Sequence, residues 1–196
     1  MSVATRPMTL ADVALPRTGA LGNVLLVVAA SLVTAAAAQV AIPLPWTPVP
    51  ITGQTFAVLL TGLVLGPRRA FLAQMLYLAE GAAGLPFFAG GAAGMLRLVG
   101  PSGGYLIAFP FAALLTGLLA ERGWDRRPFT MFLAMLLGSS VIFALGLAQL
   151  SRFVPASQLL AAGLLPFIGG DLIKTALATI AFPTAWKLAR RAEGSR

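Results

Sequence analysis

The sequence predicts an all-α, polytopic membrane protein with six transmembrane helices and a Gly/Pro-rich extracytoplasmic loop between the third and fourth. Three observations carry this. Of 196 residues, 58% are hydrophobic and only 10% charged, where a soluble domain has roughly a quarter charged; the mean hydropathy is +0.89. A spanning helix takes about 20 apolar residues, so the chain holds about six spans and leaves no space for an appended soluble domain. The basic residues, finally, sit in short groups between apolar runs, where they report topology.

Taken in order, residues 1–19, ending "ALPRTG", are polar and proline-broken and are expected to form a cytoplasmic leader. They do not read as a cleaved signal, because the charges lie far from the start and the run 21–42 is long enough to span. The second run, "TGQTFAVLLTGLVLG" (52–66), is short and ends at Gly66-Pro67, and the third, "AFLAQMLYLAEGAAG" (70–84), is also short. Residues 85–104 are too rich in glycine and proline for an ordinary span. A fourth helix is expected over 105–120, a fifth over 129–150 and a sixth over 162–186.

The charge distribution tests this layout. With the N-terminus inside, the cytoplasmic segments carry Arg6, Arg17, Arg68, Arg69, Arg122, Arg126, Arg127, Lys187, Arg190, Arg191 and Arg196, while the outer segments carry Arg97 and Arg152. An odd number of spans would put the "KLARR" cluster outside, against the positive-inside rule. The expected organisation is therefore a leader (1–19), a six-helix transmembrane domain (20–188) and a basic tail (189–196), with both termini cytoplasmic. The net charge of +8 then belongs to the lipid interface, and no nucleic-acid partner is implied.

Composition also limits the chemistry. The chain has no cysteine and no histidine, which excludes disulfides, thiolate chemistry, imidazole bases and the usual zinc or haem ligand sets. A hydrolase would need an activated nucleophile with its base, so no enzyme and no cofactor is expected. No Walker A pattern occurs, so ATP energy would have to enter through partners. A solitary carrier is the alternative; such folds often show internal repeats, and none is evident between 20–100 and 105–190.

Chemistry concentrates in "PFIGGDLIKTALATIAF" (166–182), where Asp171 and Lys174 interrupt an apolar run. With Lys187 at the inner interface, Asp171 lies about 24 Å above it and Lys174 about 20 Å, in the outer part of a hydrocarbon layer about 30 Å thick. Charges at such depth face the bundle interior or a cavity. They either form an i, i+3 ion pair that locks helices together or line a pocket, with Lys174 offering a cation and Asp171 accepting N–H bonds. Gly169 and Gly170 permit close helix packing or a break.

Other outer segments supply candidate walls. "PLPWTPVPITGQT" (43–55) is stiff with proline and delivers Thr52, Gln54 and Thr55; Gln54 needs partners near an apolar run, and Trp46 reads as an interfacial aromatic or a pocket wall. The glycine-rich 85–104 segment can cover or line a cavity, with Phe87, Phe88 and Tyr105 as apolar contacts. Arg97 is its one cation, suited to an outer carboxylate or a lipid head group. On the first helix, Ala30, Thr34 and Ala38 recur at small-xxx-small spacing, which serves either internal packing or an interface with another membrane subunit.

The blocks "PVPITGQTFAVLLTGLVLGPRRAFLAQMLYLAEGAAGLPFFAGG", "LVGPSGGYLIAFP" and "PFIGGDLIKTALA" together resemble the BioY family, the biotin-specific substrate-binding component of energy-coupling factor transporters. The resemblance covers about 42–178. It implies a six-helix fold in the bacterial cytoplasmic membrane, capture of biotin from outside, and coupling to an energy-coupling factor transmembrane subunit and two ATPase subunits. It also implies that Asp171 and Lys174 line the biotin site and that the loop around Ala89, Gly90 and Gly91 contacts ligand. Gly90 stands where some members carry a polar side chain, Ser102 where threonine is common, and Glu80 where an apolar residue or glycine is expected, exposed near the outer end of the third helix.

Overall fold

The computed structural model describes residues 9–15 and 18–194. Its elements are α1 (Leu10–Ala14), α2 (Ala20–Gln39), β1 (Ala41–Leu44), β2 (Thr47–Thr52), α3 (Gln54–Leu65), α4 (Pro67–Ala82), α5 (Leu96–Val99), α6 (Gly103–Glu121), α7 (Pro128–Leu150), α8 (Leu159–Gly163) and α9 (Leu165–Gly194). Arg6, Arg17 and Arg196, and most of the expected leader, lie outside the described residues. Helices stand at each segment the apolar runs mark. Among the described residues four runs are long and apolar enough to cross a membrane: α2, α6, α7 and the stretch Ala156–Lys187, which holds α8 and most of α9. α3 is a shorter apolar helix of 12 residues, and α4 has 16.

Two boundaries differ from the sequence expectation. The first helix stops at Gln39 rather than near residue 42, because Pro43 and Pro45 cannot continue it. The chain instead forms an antiparallel hairpin, pairing Ala41 with Thr52, Ile42 with Ile51 and Leu44 with Thr47, with an irregularity at Pro43. Alternation of buried Thr47 and Val49 with exposed Pro48 is a strand pattern, and proline is tolerated in a strand that offers its donor side to no partner. The last span, expected as one helix, is stepped: Leu164 (φ −131°, ψ −59°) separates α8 from α9.

α6 is the central helix. Within its span 72% of the residues are buried, against 22% for α2, and it packs on α3, α4 and α7. Without a hydrophobic driving force between helices in lipid, close contact depends on small residues and shape. Gly146 of α7 shows this: a Cβ there would come within 2.3 Å of the Tyr105 ring. Leu59, Leu63, Tyr77, Met131, Met135 and Ile142 fill the space between these helices with no exposure.

The small-residue stripe of α2 is used inside the chain. Ala30, Thr34 and Ala38 are all buried; Thr34 Oγ1 donates to the Ala30 carbonyl (3.1 Å) and accepts from Gln74 Nε2 of α4 (3.1 Å). Of the two roles their spacing allowed, these three residues serve internal packing in the chain by itself, and the face α2 leaves open carries Leu21, Val24, Leu25, Leu32 and Val33. Glu80 is likewise not freely exposed: its Oε2 is enclosed without a hydrogen-bond partner.

Polar contacts fasten the end of the bundle opposite the hairpin. The Thr9 N–H donates to Asp12 Oδ2 (3.2 Å) at the start of α1, and Arg69 Nη1 pairs with Asp12 Oδ1 at 2.7 Å while its Nε donates to Asn23 Oδ1 (2.8 Å). Burial alone would push the Asp12 carboxyl up, but the Thr9 N–H and the Arg69 guanidinium outweigh it and hold the carboxyl below its ordinary value. In the turn between α6 and α7, fully buried Asp125 accepts from Trp186 Nε1 of α9 (2.7 Å). Burial raises that carboxyl to about 6.

Candidate substrate pocket

The hairpin, the 85–102 loop and helices α3, α6, α7 and α9 surround a cavity whose space, open mouth included, is about 850 Å³. Each wall is fastened by side chains that satisfy backbone groups where no regular structure does so. Thr47 Oγ1 of the hairpin donates to the Ala162 carbonyl of α8 (2.7 Å). Gln149 Nε2 holds the loop by donating to the Gly100 (2.7 Å) and Leu98 (3.0 Å) carbonyls, and Gln39 Oε1 accepts from the Gly91 N–H (3.0 Å). Such anchors keep a loop of Gly and Pro in place over a cavity.

Asp171 and Lys174 both line this cavity, one helical turn apart on α9. They do not form the ion pair that was one reading of the sequence. Lys174 Nζ instead donates to the Thr52 carbonyl of the hairpin at 2.8 Å. Asp171 is 7% exposed and has Ser139 of α7 beside its carboxyl. α9 runs unbroken through Gly169 and Gly170, and an added Cβ at either would meet nothing within 4 Å, so neither a break nor close packing accounts for them.

Gln54 lines the wall and is itself held: Thr52 Oγ1 donates to its Oε1 (3.0 Å), and its Nε2 donates to the Tyr77 hydroxyl, which donates to the Phe87 carbonyl (3.2 Å). Tyr105 contributes its ring to the cavity and donates its hydroxyl to the Gly163 carbonyl (2.7 Å). Gly90 takes a left-handed conformation (φ +67°) that a side chain rarely adopts; the flanking Ala89 and Ala92, not Gly90, face the cavity. Phe88, Thr55, Ser102 and exposed Arg97 also line it, while Trp46 and Phe87 do not.

The sequence reading missed the aromatic floor and part of the hairpin wall. Phe109, Phe143 and Phe167 line the cavity with Val49 and Pro50; Phe167 packs between Tyr105 and Phe143, with both ring centroids at 6.4 Å. Single phenylalanines in spans resemble lipid-facing residues in one dimension. The alternation in "TPVPIT" was the legible signal for the hairpin.

An apolar bundle that closes one end around a cavity with an acid, a base, an amide and aromatic rings defines a helical, multi-pass membrane protein built around a polar, aromatic-walled cavity. The chain belongs to the BioY family, whose model matches residues 8–191. It is 43% identical over 147 residues to the "Probable biotin transporter BioY" of Pyrococcus horikoshii, covering 75% of this chain and 85% of that one. It is 40% identical over 141 residues to the biotin transporter BioY of Thermotoga maritima, covering 71% and 82%. Its fold is similar to the crystal structure of the S-component for biotin from an ECF-type ABC transporter, with TM-score 0.76 and 28% identity over 85% of this chain and 92% of that one. These relatives are transporters, not enzymes.

Proposed function

We propose that the protein binds biotin at the outer face of the cytoplasmic membrane and acts as the substrate-specific component of an energy-coupling factor transporter. The observation that carries this is the placement of Asp171, Lys174, Gln54 and Arg97 around one aromatic-walled cavity in a chain whose relatives carry biotin. Biotin has an apolar bicycle, a ureido group with two N–H donors and a carbonyl, and a distant carboxylate. In this reading Asp171 accepts a ureido N–H, and Lys174 exchanges the Thr52 carbonyl for the ureido oxygen. Phe109, Phe143 and Phe167 hold the rings, and Arg97 at the mouth meets the carboxylate. Gln54 and Tyr105 shape the wall, and Gly90 sets the turn that presents Ala89.

The topology that goes with this reading has α2, α3, α4, α6, α7 and α9 as six spans, α3 and α4 being short, with both termini in the cytoplasm. Residues 1–19 and 189–196 then flank a single transmembrane domain at 20–188. A transmembrane coupling subunit and two ATPase subunits supply the energy. Equilibrium binding of labelled biotin, thiamine and riboflavin to purified protein tests the substrate: binding of biotin alone is expected, and equal affinity for all three contradicts it. Copurification with a membrane subunit and ATPases is expected, and biotin uptake by this chain alone would contradict the coupled role.

A further inference from the structure

Hydroxyls inside membrane spans usually satisfy themselves on the carbonyl one turn back. Thr34, Thr61, Thr116 and Thr179 do so here, donating to Ala30, Ala57, Ala112 and Thr175, and Ser31 donates to Val28. Two buried hydroxyls do not. Among the described residues, Ser139 Oγ of α7 (3% exposed) and Thr175 Oγ1 of α9 (0%) have no hydrogen-bond partner. Ser139 stands beside the Asp171 carboxyl, and Thr175 follows Asp171 by four residues, on the same helix face one turn further from the hairpin.

Asp171 needs donors. A buried carboxylate without hydrogen bonds is strongly disfavoured, and Lys174, the nearest cation on its own helix, is turned to the Thr52 carbonyl. We propose that Ser139 and Thr175 are positioning residues that hold the Asp171 carboxylate from beneath and leave its cavity-facing oxygen for a ligand N–H. This rests on the reading of Asp171 as a ligand acceptor. It explains why these two hydroxyls are kept off the backbone, and it gives α7 a polar part in a site otherwise walled by its Phe143.

A double-mutant cycle tests it, with biotin affinity and the thermal midpoint of ligand-free protein measured for each variant. Ser139→Ala is expected to weaken biotin binding about tenfold, the usual worth of one hydrogen bond to a charged group, and Thr175→Val to act in the same direction. In an Asp171→Asn background, Ser139→Ala should change affinity less than about twofold, because its effect passes through the carboxylate. The same loss of coupling in thermal midpoint gives the answer if Asp171→Asn binds too weakly to measure, and Ser139→Cys, of similar size and a poorer donor, replaces Ser139→Ala if that variant does not fold. Unchanged affinity in Ser139→Ala, or a full tenfold loss that persists without the carboxylate, overturns the proposal. Wild-type affinity in Asp171→Asn instead overturns the reading of the site beneath it.

Discussion

Lys174 Nζ donates to the Thr52 carbonyl at 2.8 Å, which joins the charged helix α9 to the β1–β2 hairpin across the cavity. The cation is thus both a wall group and the tie that holds the hairpin down. Lys174→Ala should lose biotin affinity by about tenfold or more, since a hydrogen bond from a charged group is worth roughly 1.5 to 3 kcal/mol. It should also speed hydrogen exchange of the hairpin amides. Affinity loss with unchanged exchange would confine Lys174 to the ligand, and neither change would remove it from the site.

The packing of α2 gives a second expectation. Ala38 is fully buried within the chain, so Ala38→Leu overpacks the helix contact and should lower stability by about 1 to 3 kcal/mol. Val33→Leu on the open face should leave it unchanged. Thermal unfolding in detergent checks both, and equal midpoints for Ala38→Leu and wild type would contradict the internal role of the stripe.

Much of this architecture was legible because its causes are local. Apolar runs, Gly66-Pro67 and the basic groups mark the helices to within a few residues, and two charges in an apolar run point to a cavity by their desolvation alone. The partner of each charge was not legible. Lys174 pairs with a carbonyl 122 residues away, and the i, i+3 spacing to Asp171 suggested a nearer one. Small-residue spacing on α2 showed that something packs there, but internal and external partners leave the same pattern. Trp186 and Asp125 gave no joint signal, being 61 residues apart.

That last contact predicts a pH dependence. The Asp125 carboxyl is raised from 3.8 to about 6 by burial, with the Trp186 N–H and Arg126 opposing. A raised value means that the folded form favours the proton, so the associated stability is full below pH about 4 and is lost as pH rises through about 6. The loss is at most about 3 kcal/mol. Asp125→Asn keeps an acceptor for Trp186 and removes the titration, so its thermal midpoint should fall less than wild type between pH 4 and 7. Parallel pH profiles would contradict this.

The measurement that tests the pocket assignment most directly is biotin affinity, with thermal midpoint, in the double variant Asp171→Asn with Lys174→Met. It removes both charges and roughly keeps volume, so side chains that serve only the fold would be replaced without loss of binding. The account predicts a folded protein that has lost biotin binding; a folded protein with wild-type affinity would contradict it.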